Sequence, residues 1–140
     1  MTNLQAALGL GQLERLDSVL QTKRRIGLSY TQGLQDCPHL SLPLSSVDYA
    51  DNLFWVYGLV YMREPAEHLT HALATQFIGT RPFFWPIHLQ PVFVERGLFR
   101  GVSAPVSERL ARHGFYLPSG LAVTEQQLKK VVACLLQLLA

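Results

Sequence analysis

The run Ile78–Pro91 (IGTRPFFWPIHLQP) restricts the possible folds more than any other part of the chain. Its three prolines, Pro82, Pro86 and Pro91, fix their own backbone angles and remove N–H donors from the chain. Each proline also pushes the residue before it towards extended geometry. The run is therefore predicted to be non-helical, as a short aromatic strand at the edge of a sheet that continues into a rigid loop.

The same run places a cation, an aromatic face and an imidazole along this extended path, in Arg81, Trp85 and His88. Such groups recognise a polar ring or a phosphate. The alternative is that these residues only pack the end of an edge strand, and the residue types alone favour neither interpretation.

A chain of 140 residues can bury a core without disulfides and is predicted to form one domain, residues 1–140. The content of apolar residues, 49%, stands against 16% charged residues. This balance indicates either a large core or a face that meets another subunit or domain. Apart from Lys23–Arg25 the basic residues are scattered, so we expect no nucleic-acid partner.

The two cysteines, Cys37 and Cys134, have neither metal-binding spacing nor a disulfide pattern, which favours free thiols in a reducing compartment. The sequence shows no signal peptide, and its longest apolar run, Leu53–Met62, is too short to span a bilayer. We therefore expect a cytoplasmic protein with no membrane partner.

Caps, prolines and the spacing of apolar residues divide the chain into helices and strands. The strand Leu53–Met62 is expected to be covered on both faces, and Gly58 within it indicates a bulge or a close neighbour. Residues 39–52 and 92–101 are predicted to be irregular. The predicted elements are a long helix over residues 3–34, the strand Leu53–Met62, a helix from Pro65 to Phe77, a strand within Ile78–Pro91, a short helix from Pro105 to His113, a short strand at Phe115–Pro118 and a last helix after the capping box Thr124–Gln127.

This order predicts an α+β fold with a long N-terminal helix and a three-stranded sheet, antiparallel or mixed, that is covered by helices. A Rossmann unit is disfavoured because no glycine-rich turn follows any strand. The first helix is longer than a small domain needs, so it is expected to pack on something outside residues 1–140.

The sequence contains no self-contained catalytic constellation, since it has no nucleophile elbow, P-loop, Cys-x-x-Cys or His-Glu-x-x-His motif. Ser107 followed by Glu108 reads as a helix start. His68 and His71 have a spacing that can bind a metal, but no third ligand is nearby, so solvated histidines are favoured. We predict no catalytic residue and no metal site.

Several segments together resemble the C-terminal part of one enzyme family, and the resemblance covers essentially the whole chain. These segments are Met1–Leu13, Asn52–Val60, Gly79–Pro91, Ser107–Leu110 and Tyr116–Leu121. In order and spacing they are similar to the DegT/DnrJ/EryC1/StrS family, whose members are sugar aminotransferases of fold type I that use pyridoxal phosphate. The aromatic run most resembles the perosamine-synthase branch.

The resemblance implies the small domain of such an enzyme without its large domain. In the family, the large domain carries the Schiff-base lysine and the phosphate site, and it precedes the motif at which this chain begins. Lys23 is expected on a charged helix face beside Arg24 and Arg25, and Lys129 and Lys130 on the polar face of the last helix. Because a Schiff-base lysine must be desolvated and face the cofactor, we expect no cofactor site within this chain.

By the same resemblance, Arg81, Phe84, Trp85 and His88 are candidates for contact with a sugar or a nucleotide. Three hypotheses follow for the chain. It is either the small domain of a sugar aminotransferase, inactive without a large domain, or a non-catalytic module that self-associates. The partner of its N-terminal helix would be the missing large domain or a second copy in a homodimer. A weaker third option, a small sugar-binding protein, rests on Trp85–His88 alone.

Overall fold

A computed structural model describes all residues, 1–140, and its frame is an antiparallel sheet with helices on one face. A 3-10 turn covers Ile87–Leu89. The strands are β1 (Leu40–Ser41), β2 (Ser46–Val47), β3 (Ala50–Asp51), β4 (Tyr57–Tyr61), β5 (Arg81–Pro82) and β6 (Gly114–Leu117). The helices are α1 (Asn3–Leu13), α2 (Leu16–Leu34), α3 (Glu67–Thr75), α4 (Pro91–Glu95), α5 (Pro105–His113) and α6 (Glu125–Leu139).

The main sheet has the order β1-β4-β6-β5, and each neighbouring pair is antiparallel. The α+β class is thereby confirmed, whereas the predicted number of three strands is wrong by one. The additional strand, β1, and the separate hairpin β2–β3 lie in residues 39–52, which were expected to be irregular. Strands of two residues are too short to show the alternation on which a prediction depends.

Helices α2, α3 and α6 bury their apolar residues against one face of this sheet. Burial alternates along β4, so that Tyr57, Leu59 and Tyr61 point into the core. The facing helical residues are Ile26, Tyr30, Leu34, Leu69, Leu73, Leu128, Val131, Leu135 and Leu139. A fully buried aliphatic side chain contributes about 1.5–3 kcal/mol, so these helices hold most of the fold together. None of them combines the length and apolar character of a bilayer-spanning helix.

The long N-terminal helix is two helices, which corrects the prediction of one helix over residues 3–34. The helical hydrogen bonding of α1 ends at Glu14, and Arg15 has φ −105° and ψ 5°. The two helices differ in what they contact: α2 packs on α6, whereas α1 has no buried residue at all. Because nothing in the domain holds α1 in line with α2, periodicity alone could not locate the break.

The strand predicted over Leu53–Met62 begins only at Tyr57. Phe54 adopts a positive φ of 50°, and its N–H donates to Asn52 Oδ1 at 2.7 Å. The Phe54 ring is buried directly over Gly27, where any side chain would overlap it. The expectation that both faces of this run are covered is therefore wrong for its first half, and Trp55 is 74% exposed.

The remaining elements agree with the sequence except in one connecting segment. Helices α3, α5 and α6 lie where they were predicted, and Thr124 and Gln127 form the expected capping box. Residues 92–101, predicted to be irregular, instead begin within the short helix α4. Pro91 occupies its first turn, a position that tolerates proline because the N–H there has no partner within the helix.

Candidate functional site

The aromatic segment, defined here as residues 81–91, leaves the edge of the sheet and folds back across it. Its first residues form β5, where Arg81 lies opposite Tyr116 and Pro82 opposite Phe115 of β6. The N–H of Phe83 then donates to the carbonyl oxygen of Gly114 at 3.1 Å. The predicted edge strand is thus confirmed, although it has only two residues. The prediction that the run is non-helical is wrong for its second half, because Ile87–Leu89 form a 3-10 turn and α4 begins at Pro91.

Phe83 lies against two glycines in the central strands, on the face of the sheet away from α2 and α6. A methyl group on Gly58 would come within 3.0 Å of the Phe83 ring, and one on Gly114 would overlap that ring. The ring also packs on Tyr116, with 4.6 Å between ring centroids. Gly58 therefore marks a close neighbour, one of the two alternatives that the sequence left open.

Arg81 and Phe84 border an open groove of about 420 Å³. Phe84 is 82% exposed, and the exposed Trp55 also lines the groove. The guanidinium of Arg81 takes part in none of the ion pairs within the chain. The groove thus combines a free cation with aromatic surfaces. Its lining residues are Trp55, Val56, Arg81, Pro82, Phe84 and Tyr116.

Trp85 lies on a different surface, where it borders a cavity of about 230 Å³ between α3 and α5. Its indole Nε1 donates to the carbonyl oxygen of Leu89 at 3.2 Å. In return, Gln90 Nε2 donates to the carbonyl oxygen of Trp85, also at 3.2 Å. The indole is therefore oriented by the 3-10 turn that follows it.

His88 is turned inwards, and its Nε2 lies 2.9 Å from Glu108 Oε1. The two side chains are only 10% and 23% exposed. The same oxygen accepts the N–H of Ala104, the residue before α5, at 2.9 Å. These hydrogen bonds lower the pKa of the Glu108 carboxyl below its ordinary range, and the bond from Ala104 has the larger effect.

The structure therefore does not gather the four predicted ligand residues around one cavity. Arg81 and Phe84 share the aromatic groove, whereas Trp85 borders the second cavity and His88 binds Glu108. Sequence reasoning missed Trp55, which it assigned to a covered strand, and Glu108, which it assigned to a helix start. No local pattern joins positions 88 and 108, because the sheet pairing of β5 with β6 brings them together.

The surroundings of the three lysines were only partly predicted. Lys23 is not on a solvated face: its Nζ donates to the carbonyl oxygens of Trp55 at 2.8 Å and Ser119 at 2.6 Å. Burial lowers its pKa. Lys129 and Lys130 are exposed on α6, as expected. A pyridoxal phosphate site needs a desolvated amine that is free to react, and none of the three lysines combines both properties.

Metal-ligating side chains are not clustered anywhere in the chain, since no group of three histidine, cysteine, aspartate or glutamate residues is close enough to hold an ion. His68 and His71 are both exposed on α3. The residues present therefore provide no donor set that fits a metal cofactor.

Solved sugar aminotransferases share this fold. DesV of S. venezuelae, in complex with a ketimine intermediate, aligns with a TM-score of 0.84 and 25% identity over 96% of this chain and 35% of its own. PseC of Helicobacter pylori, an aminotransferase of pseudoaminic acid biosynthesis, aligns with a TM-score of 0.84 at 17% identity over 96% of this chain and 36% of its own. The second likeness shows the fold alone.

The chain is also similar in sequence to enzymes with assigned activities. The GDP-perosamine synthase of Vibrio cholerae is 30% identical in an alignment of 138 residues that covers 96% of this chain and 36% of that enzyme. The GDP-perosamine synthase of Escherichia coli O157:H7 is 32% identical over 91% of this chain and 33% of its own length. The chain thus spans about a third of the length of these relatives.

The sequence profile of the DegT/DnrJ/EryC1/StrS aminotransferase family matches residues 1–136. This match covers all the strands of both sheets and all but the last residues of α6. The chain belongs to the DegT/DnrJ/EryC1/StrS aminotransferase family.

Proposed function

We propose that these 140 residues act as the small domain of a pyridoxal phosphate-dependent sugar aminotransferase and are not catalytic alone. One observation carries the proposal: the family profile matches nearly the whole chain, while the chain spans about a third of its relatives. Chemistry that requires the other two-thirds of such a protein would have to come from outside residues 1–140.

The surroundings of the lysines support this division. The Nζ of Lys23 is a hydrogen-bond donor to two backbone carbonyls, so its amine is not free to react with an aldehyde. Lys129 and Lys130 face solvent, whereas a Schiff-base lysine must be desolvated and face the cofactor. Supplying pyridoxal phosphate to this chain should therefore yield no specific aldehyde adduct.

The aromatic groove supports a role in binding the nucleotide part of a sugar nucleotide. Arg81 offers a cation for phosphate oxygens, and Phe84 offers a stacking surface beside it. The proposal also includes Trp85 and His88, which would contact the sugar, although neither residue lines this groove. Relatives are named for GDP- and dTDP-linked sugars, so GDP and dTDP are the ligands to test.

The cofactor part of the proposal is tested by titration with pyridoxal phosphate, followed by borohydride reduction and intact-mass analysis. We expect only slow, scattered labelling of exposed amines, as in a Lys23→Met control. One modified lysine at stoichiometric cofactor would show that the chain builds a cofactor site of its own, and the proposal would be wrong.

The domain assignment is tested by complementation. A GDP-perosamine synthase truncated before the matched region should be inactive alone and should regain transamination when mixed with this chain. Restored turnover is the expected result, and the absence of any turnover after complex formation would count against the assignment.

The surface of α1 favours a second candidate function, that of a self-associating module. Leu4, Leu8, Leu10 and Leu13 are all exposed, and the helix contains no charged residue. An uncharged helix with exposed leucines on more than one side is normally covered by a partner, so a second copy of the chain is the partner to test. Sedimentation velocity should show a dimer that Leu8→Ser weakens, while Leu44→Ser, at an exposed loop leucine, leaves it intact. A strict monomer at high concentration would rule this function out.

A further inference from the structure

The Glu108 carboxylate joins the aromatic segment to the body of the domain. Its Oε1 accepts hydrogen bonds from two partners, the Ala104 N–H and the His88 ring, each at 2.9 Å. Ala104 precedes α5, which contacts both β4 and β6. One oxygen atom therefore connects the central strands, through α5, to a ring in the middle of the aromatic segment.

The protonation state of Glu108 determines whether the His88 ring nitrogen that faces it must be the hydrogen-bond donor. An ionised carboxylate can only accept hydrogen bonds, and the pKa of Glu108 lies below its ordinary range. His88 Nε2 must therefore carry the hydrogen that it shares with Glu108. Nδ1 makes no hydrogen bond within the chain and remains free to meet a ligand.

Further bonds carry this constraint from His88 to Trp85. His88 is the middle residue of the 3-10 turn Ile87–Leu89, in which the Leu89 N–H donates to the Pro86 carbonyl at 3.0 Å. The carbonyl oxygen of Leu89 in turn accepts the indole Nε1–H of Trp85. The turn places the acceptor that orients the indole, and Glu108 holds the turn through His88.

We propose that Glu108 is a positioning residue that acts through His88 to fix the Nε2–H form of that ring and the orientation of the Trp85 indole. Its relevance to ligand binding rests on the proposed function, in which the aromatic segment contacts the sugar nucleotide. The effect of Glu108 on His88 and Trp85 does not depend on any ligand. Glu108 itself lines neither cavity, so its effect on the aromatic segment runs through His88.

The two tryptophans provide the readout. In a ¹⁵N-labelled sample of the whole chain, each indole Nε1–H gives one resolved signal, and only Trp85 has a hydrogen-bond partner for it within the chain. Trp55 is exposed and serves as the internal control. A general loss of stability would affect both signals, whereas loss of positioning would affect Trp85 alone.

We expect Glu108→Ala to shift the Trp85 indole signal and to speed its exchange with water by about fivefold, the factor that one ordinary hydrogen bond provides. His88→Gln should shift the same signal, and the double variant should add little, because both substitutions break one pathway. Glu108→Gln should give a smaller effect, since its amide oxygen still accepts. Glu14→Gln, at an exposed glutamate that caps the end of α1, should change neither signal.

A Trp85 signal that stays at its wild-type position in both single variants would overturn the proposal, as would equal shifts of both tryptophans. If Glu108→Ala does not fold, His88→Gln decides the question alone. Failure of GDP or dTDP to bind would refute the role of the segment in the proposed function, but it would leave the Trp85 result unchanged. The two failures are therefore distinguishable.

Discussion

Replacing Phe77 by glycine should stabilise the protein, although the substitution removes an aromatic ring. Phe77 follows α3 with φ of 59°, in the left-handed region that L-residues disfavour. Its N–H donates to the Ala74 carbonyl at 3.0 Å, and the next N–H, that of Ile78, reaches the Leu73 carbonyl at the same distance. This is the Schellman arrangement, in which the left-handed position is usually occupied by glycine.

The magnitude follows from two opposing terms. Relief of the left-handed conformation contributes about 1–2 kcal/mol to the folded state. The greater freedom of glycine in the unfolded chain costs about 0.5–1 kcal/mol. The ring is 95% exposed, so its removal costs almost no burial. At the centre of these ranges the net gain in the free energy of unfolding is about 0.75 kcal/mol. At about 2–4 °C per kcal/mol for a chain of this length, this gain raises Tm by about 1.5–3 °C.

The measurement is a comparison of glycine with alanine at two exposed phenylalanines. Alanine removes each ring but keeps the conformational restriction of an L-residue, so the glycine-minus-alanine difference isolates the backbone term. Phe84 is similarly exposed and has no positive φ. Urea unfolding should therefore show Phe77→Gly as more stable than Phe77→Ala, and Phe84→Gly as less stable than Phe84→Ala.

The reasoning would be refuted if the glycine-minus-alanine difference in the free energy of unfolding had the same sign at Phe77 and Phe84. If glycine were less stable than alanine at position 77 as well, the left-handed conformation would carry no strain in this chain. Circular dichroism of each variant before unfolding shows whether α3 has kept its length, which the comparison requires.

Three further predictions concern the core and its electrostatics. Gly114→Ala should lower the free energy of unfolding by about 1–3 kcal/mol in urea titrations, because the added methyl would overlap the Phe83 ring, and an unchanged midpoint would contradict this packing. Lys23→Met should lower the free energy of unfolding by about 1–3 kcal/mol, since the carbonyls of Trp55 and Ser119 lose their donor, whereas an equally stable variant would show that water replaces the ammonium. Burial, and secondarily the neighbouring Tyr57, raise the pKa of Tyr30 well above its ordinary range. Above about pH 10 the unfolded chain therefore loses a proton that the folded state keeps, so stability should fall as pH rises, and it should fall less steeply in Tyr30→Phe.

Elements with a strong local pattern could be predicted from the sequence. The capping box at Thr124 fixes the start of α6, and prolines mark the starts of the helices near Pro65 and Pro105. The prolines of the aromatic segment likewise predict the edge strand β5, but not the 3-10 turn at Ile87–Leu89. In each case the residue types restrict the backbone within a few positions, without help from the rest of the fold.

Features that depend on distant contacts could not be predicted. The break after α1 follows from what α2 packs on, and the turn at Phe54 follows from the space that Gly27 leaves for its ring. In the candidate site, the sequence suggested Arg81 and Phe84, which do share a groove, but it gave no sign that His88 meets Glu108. That contact joins residues 20 positions apart, which no local pattern in the sequence connects.

The position of Phe83 over Gly58 and Gly114 has a consequence for how the domain can move. At these two glycines the sheet is covered by the Phe83 ring, with the Tyr116 ring beside Gly58 and the backbone of α5 at Leu110 beside Gly114. If the aromatic segment lifts away, the backbone of β4 and β6 loses the cover of the Phe83 ring, and neither glycine has a side chain of its own to replace it. Amide hydrogens of these central strands, normally the slowest to exchange in a domain, would then exchange at a rate set by the loop.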